Sequence, residues 1–282
     1  MRLLALGLLL AGCVPYTVGP DHVLHPRRDR ERALALDPDA VAAAVPGATV
    51  QPWALARPDG AVLRGAWVRH PAADRPTVLY FGGNGFRVST LGMKKLVPLL
   101  RLGVDVVMLD HRGYGQSDGT ASVDSLKADA LAVFDAVAAE AGGTRVVVHG
   151  HSLGSFLASW VGAEREAGGV VLENSATTTR DYVRSRSDLY PILHLVRFRI
   201  DPALAGEGSL GPVRRITEPL LIVAGAGDAR IPSWMSQALY EASPLPPGRK
   251  RLRVFARPGH DRVPLDPDFP GVYRAFLRDA GL

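Results

Sequence analysis

The chain has 282 residues, 47% of them apolar and 22% charged, a globular composition that excludes disordered and collagen-like classes. A single cysteine excludes a disulfide framework and a thiolate metal cluster, and no apolar run approaches the roughly 20 residues of a membrane-spanning helix. The formal charge of +5 comes with no helix-turn-helix, zinc-finger or RNP-type signature, which argues against a nucleic-acid partner.

Met1-Arg2 is a short positive start, Leu3 to Leu10 is apolar, and Ala11-Gly12-Cys13 follows. A charged start, an apolar stretch and small residues before a cut have the form of a secretory signal, here residues 1–12. Cysteine directly after Leu-Ala-Gly resembles the lipobox of bacterial lipoproteins. The resemblance implies that the Cys13 thiol is lipidated and becomes the first mature residue. It also implies a protein held in the bacterial envelope, facing outside the cytoplasm. More than one acyl chain would give stable attachment. An ordinary apolar start is the alternative. Arg27, Arg28, Arg30 and Arg32 either rest on anionic headgroups or form a solvated turn with Asp29 and Glu31. Residues 13–50 read as a tether with one short helix around Asp39 to Val45.

From there on, strand and helix patterns alternate. Trp53 to Arg57 and Ala61 to Arg69 flank the turn tripeptide Pro58-Asp59-Gly60 and predict a hairpin. Compact apolar runs at Thr77–Phe81, Val104–Leu109, Arg145–His149, Val170–Leu172 and Leu220–Ala224 suit strands buried on both faces of a parallel sheet. Leu252 to Phe255 predicts a last strand. Helical spacing appears over Leu91–Leu100, where Pro98 would kink or shorten the helix. A second helix starts after Ser122, with Val123, Leu126, Ala130, Val133, Phe134 and Val137 on one face, and ends at Gly142-Gly143. A third runs from the Ser152 turn to about Glu164. This order predicts one α/β domain over residues 51–282 with a mostly parallel central sheet flanked by helices. Ligands of such sheets bind at the C-terminal ends of strands, so the residues that follow each strand carry the chemistry.

After the Arg145–His149 strand comes Gly150-His151-Ser152-Leu153-Gly154, which matches G-x-S-x-G. It follows a predicted strand and opens a predicted helix, the context this turn requires. A serine hydroxyl becomes a nucleophile only when a base takes its proton. His260 is the one histidine beyond position 194, and it sits in Pro258-Gly259-His260 just after a strand. Asp228 follows the Leu220–Ala224 strand in Gly225-Ala226-Gly227-Asp228 and is the expected acid, with Glu173, Asp201 and Asp261 as rivals.

These residues resemble the α/β-hydrolase superfamily, nearest its BEM46/ABHD13-like and ABHD17-like serine hydrolases. The resemblance covers Trp53 to the C-terminus and rests on Gly82-Gly83-Asn84-Gly85, on Asp110 through Gly119 with its Arg112-Gly113-Tyr114-Gly115 block, and on the Ser152, Asp228 and His260 motifs. It implies a catalytic triad of Ser152, Asp228 and His260 and an oxyanion hole from the N–H groups of Leu153 and Asn84. Neither metal nor organic cofactor is implied. Two positions depart from the family pattern. Gly82 stands where the oxyanion loop usually carries histidine, and His111 stands where the strand end usually carries tyrosine. His111 either fills the space of the missing loop histidine or is an ordinary strand-end residue. The family also inserts a lid after the sixth core strand, here about residues 174–215. Tyr190, Ile192, Leu193, Leu195, Val196, Phe198 and Ile200 alternate there with Arg184, Arg186, Arg197 and Arg199. They read either as an apolar acyl pocket with a basic rim or as an amphipathic cover for the core.

The expected function is a serine hydrolase acting on an ester or thioester of a small-molecule or lipid-like acyl substrate. A peptidase with the same triad and a non-catalytic binding lipoprotein of the same fold are the alternatives.

Overall fold

In the computed structural model, residues 15–29, 36–72, 74–141, 145–190, 192–193 and 196–282 are described. The strands are β1 (Tyr16–Val18), β2 (Thr49–Ala56), β3 (Val62–Arg69), β4 (Thr77–Phe81), β5 (Asp105–Leu109), β6 (Val146–His151), β7 (Gly169–Glu173), β8 (Phe198–Ile200), β9 (Leu220–Gly225) and β10 (Lys250–Phe255). The helices are α1 (Pro20–Val23), α2 (Pro38–Ala44), α3 (Val88–Leu100), α4 (Val123–Ala141), α5 (Leu153–Glu164), α6 (Thr179–Leu189), α7 (Leu210–Val213), α8 (Ser233–Ala242) and α9 (Phe269–Asp279). Eight strands form one sheet in the order β10-β9-β7-β6-β4-β5-β3-β2. The β2–β3 hairpin and the β3–β5 pair are antiparallel, and the other pairs are parallel.

The buried runs alternate between two cores, as side chains on a strand must. Val78, Tyr80, Val106, Met108, Val147, Leu221 and Val223 pack with α3 and α9. Leu79, Phe81, Val107, Leu109, Val148, Leu220 and Ile222 pack with α4, α5 and α8. Helix α3 begins three residues before the expected Leu91 and carries Pro98 in its last turn without stopping short of Leu100. The glycines expected to end α4 lie outside the described residues.

Order in the sheet reverses at β4, which lies between β6 and β5. That is where a ligand crevice opens in such folds. The β6–α5 turn fits there because the chains touch. A Cβ on Gly150 would collide with the Gly154 carbonyl, and one on Gly154 with the Phe81 carbonyl. Gly154→Ala should therefore force β4 and α5 apart. A loss of about 3 kcal/mol, or roughly 6 to 12 °C in Tm, is expected by thermal unfolding. An unchanged Tm would show that the turn can widen freely.

The N-terminal stretch departs from the expected tether. Residues 15–29 lie against the body as an arm. Strand β1 pairs in parallel with β8 of the insertion. Arg28 bridges to Gly115 and its guanidinium donates to the Gly119 carbonyl. Asp29 pairs with Arg87 at 2.7 Å and accepts from Ser89. Arg28 is thus fixed on the protein, while Arg30, Arg32 and Cys13 lie outside the described residues. No helix among the described residues is long and apolar enough to cross a membrane.

Candidate active site

Ser152 stands between β6 and α5 with φ 55° and ψ −117°, a left-handed conformation that costs a non-glycine residue of order 1–3 kcal/mol. The turn lifts the side chain out of the sheet, and its N–H donates to the Glu173 carbonyl at 2.9 Å. Leu153 is the first residue of α5. The first N–H groups of a helix have no intrahelical acceptor and carry the positive end of its dipole.

Asp228 and His260 meet at the ends of β9 and β10. His260 Nδ1 donates to Asp228 Oδ2 at 2.6 Å. The buried Asp228 carboxylate also accepts the N–H groups of Arg230 and Ile231 on its other oxygen. This arrangement puts the His260 proton on Nδ1 and leaves Nε2 free to accept one. Ser152 and His260 line the same cavity of about 320 Å³. The rival acids are engaged elsewhere. Glu173 pairs with Lys95, Asp201 caps the 3-10 helix Pro202–Leu204, and the Asp261 carboxylate lies 3.7 Å from His151 and 3.9 Å from Arg230.

Asn84 borders this cavity and also an apolar one of about 110 Å³, each shared with Ser152. Its side chain is tied to the arm and to the Arg112 block: Oδ1 accepts from His25 N–H and Tyr114 Oη, and Nδ2 donates to the Val23 carbonyl at 2.6 Å. The arm is therefore strapped over the site through Asn84, and Val23 and Leu24 wall the apolar cavity. The sequence reading missed these wall residues; the short Tyr16-Thr17-Val18 strand pattern was the available signal.

The two departures have separate explanations. A Cβ at position 82 would run into the Phe86 ring, so Phe86 fills the direction in which a loop histidine would point. His111 does not take that space. Its ring stacks on Phe81 and Nε2 donates to the Gly82 carbonyl at 2.8 Å. Burial lowers its pKa, so the ring is neutral and holds the loop by its main chain. The Arg112 block is structural too: Arg112 makes a two-pronged bond to the buried Asp129, and Asp110 accepts from Val88 and Gln116 N–H.

The insertion lines the apolar cavity with Tyr182 and Leu204 rather than with the expected residues. Tyr190 and Ile192 are 50% and 69% exposed, and Phe198 and Ile200 pack toward Val18 and Leu204. Leu195 lies outside the described residues. Arg186 does border the polar cavity, where Arg230 joins it.

Solved structures share this architecture. Esterase Pf2001 of Pyrococcus furiosus superposes with TM-score 0.68 at 19% identity, covering 91% of this chain and 97% of that one. Acetyl xylan esterase 1 from Thermoanaerobacterium does so with TM-score 0.61 at 18% identity, covering 84% of each. The chain has the α/β-hydrolase fold. Within this α/β-hydrolase domain, residues 93–206 match the family model described as "Serine aminopeptidase, S33". The rat protein named lysophosphatidylserine lipase ABHD12 is 29% identical over 229 residues, 73% of this chain. The chain spans 56% of that relative's length. The uncharacterized Mycobacterium tuberculosis protein Rv2307c is also 29% identical, over 79% of this chain and 78% of its own length.

Proposed function

We propose that this protein is a serine hydrolase that cleaves a carboxylic ester of a lipid-like or small acyl substrate. The observation that carries the reading is the Asp228–His260 bond, whose histidine lines one cavity with Ser152. His260 Nε2 takes the Ser152 proton as Oγ bonds to the substrate carbonyl carbon. The developing oxyanion accepts from the Leu153 and Asn84 N–H groups. His260 then protonates the leaving alcohol, and water releases the acyl group by the reverse sequence. Asp228 holds the ring in the required tautomer. This chemistry calls on no cofactor.

The two cavities divide the substrate between them. The apolar one, with Val23, Leu126, Phe156 and Leu204 in its wall, takes the acyl chain. The polar one, bordered by Arg186 and Arg230, takes the leaving group and suits an anionic head. Relatives named as lysophosphatidylserine lipases point the same way. We place the chain beside the BEM46/ABHD13-like and ABHD17-like hydrolases on its Asp110 to Gly119 block. Lipidation at Cys13 and an envelope location complete the proposal, and mass spectrometry of the purified N-terminal peptide tests them: an unmodified Cys13 in the mature protein removes the anchor.

The experiment is a p-nitrophenyl ester series from acetate to palmitate beside an aminoacyl p-nitroanilide. Ester turnover with a chain-length optimum is expected, and Phe156→Trp should shift that optimum to shorter chains by filling the apolar cavity. The S33 description favours one second reading, a peptidase. Anilide turnover above that of every ester would establish it instead.

A further inference from the structure

We propose that Glu173 is a positioning residue that ties the nucleophile's turn to the loop carrying the base, acting through Lys95, His151 and Asn174. The proposal rests on the assignment of Ser152 and His260 above. Residues 256–262 lie between β10 and the 3-10 helix Val263–Leu265 and belong to neither. Outside groups hold this loop. The His260 carbonyl accepts from Asn174 Nδ2 at 2.6 Å and from His151 Nε2 at 2.8 Å. The next carbonyl, of Asp261, has Lys95 Nζ at 3.5 Å. Side chains from α3, from the end of β6 and from just past β7 thus converge on two consecutive carbonyls.

Two of the three donors face one carboxylate, and the third follows it in the chain. Lys95 Nζ lies 3.2 Å from Glu173 Oε1, and His151 Nε2 lies 3.8 Å from the same oxygen. His149 Nε2 is 3.3 Å from Oε2. Asn174 is the following residue, and its Oδ1 is fixed by the Gly225 N–H. Glu173 is wholly buried, and its own main-chain carbonyl accepts the Ser152 N–H. Its main chain therefore holds the nucleophile, its side chain faces Lys95 and His151, and its position in the chain places Asn174 beside them.

The charges are consistent with this role. Burial by itself would raise the Glu173 carboxyl, but the Lys95 ammonium beside it outweighs that cost and keeps the group ionised. Burial and then Lys95 push His151 down to about 3, so its ring is neutral. Because Nε2 faces a carbonyl oxygen, that nitrogen carries the proton. A buried ion pair contributes little net stability compared with an apolar pair of the same volume. What Lys95 and Glu173 supply that an apolar pair cannot is donors held in direction.

The test compares Glu173→Gln, Lys95→Met and the double variant Lys95→Met/Glu173→Gln in the full chain. It reads kcat and KM on a p-nitrophenyl ester, Tm, and the downfield proton resonance of His260 Nδ1–H. Each single variant strands a buried group and loses stability, and the double variant regains it. A positioning role keeps kcat of the double variant about 10- to 100-fold low at nearly unchanged KM, the effect expected of a base displaced by an ångström. The Nδ1–H signal then broadens or moves. Wild-type kcat with an unchanged signal in the double variant overturns the proposal. Should those variants not fold, Asn174→Ala removes a donor without stranding a charge, and full activity in it overturns the proposal equally. Turnover that survives Ser152→Ala overturns the assignment of the site itself, a separate result.

Discussion

Ser152→Ala is expected to lower kcat by roughly five orders of magnitude and to end labelling by a fluorophosphonate probe. The loss follows from chemistry rather than packing, since no other side-chain oxygen replaces Oγ on the β6–α5 turn. The turn itself should survive. Its geometry is imposed by the close passage of Gly150, Gly154 and Phe81, none of which the substitution touches. Ser152→Gly sharpens the argument. Position 152 has φ 55°, which glycine adopts without strain. That variant should be as inactive as the alanine one yet more stable by about 1 kcal/mol. Thermal unfolding beside the probe assay reads both effects. An active Ser152→Ala protein would transfer the nucleophile's role elsewhere, and a less stable glycine variant would show that the turn is not strained.

Asp228→Asn carries the second large effect, a fall in kcat of about 10⁴-fold. Asp228 Oδ2 accepts the His260 Nδ1 proton at 2.6 Å, while Oδ1 is committed to the Arg230 and Ile231 N–H groups. Those two donors hold the amide oxygen of an asparagine on their own side. Its NH₂ then faces the imidazole, which must turn Nδ1 into an acceptor and put the proton on Nε2. A ring in that tautomer cannot take the serine proton. Asp261→Asn is the matched control, because its carboxylate lies beside His151 and Arg230 at 3.7 and 3.9 Å and makes no bond to the His260 ring. Its kcat should stay within about tenfold of wild type. Reversed magnitudes in the two variants would exchange the acids.

Fold and chemistry differ in how far the linear chain reveals them. Thr77–Phe81 was legible to the residue because a strand buried on both faces has to be apolar throughout. The neighbouring runs were legible for the same reason. The Ser152 motif was legible because a strained strand-to-helix turn admits only glycine where two backbones touch. Asp228 was readable only as a residue after a strand, with three rivals that distance alone could separate. The reason Gly82 replaces a histidine was not readable, since it depends on where the Phe86 ring falls. Lys95 left one trace, a charge on the apolar face of α3, but its partner lies 78 positions away in sequence.

The sequence by itself determined the alternation of buried strands and amphipathic helices, the nucleophile's turn and the base. Each of these is a local requirement of backbone geometry or of solvent exclusion. Only the tertiary structure decided that residues 15–29 lie against the body and bring Val23, Leu24 and His25 to the site, and that Glu173 pairs with Lys95 while Asp228 holds His260. Those outcomes depend on contacts between segments far apart in the chain, where hydrogen-bond direction and burial choose among residues that composition and spacing leave equivalent.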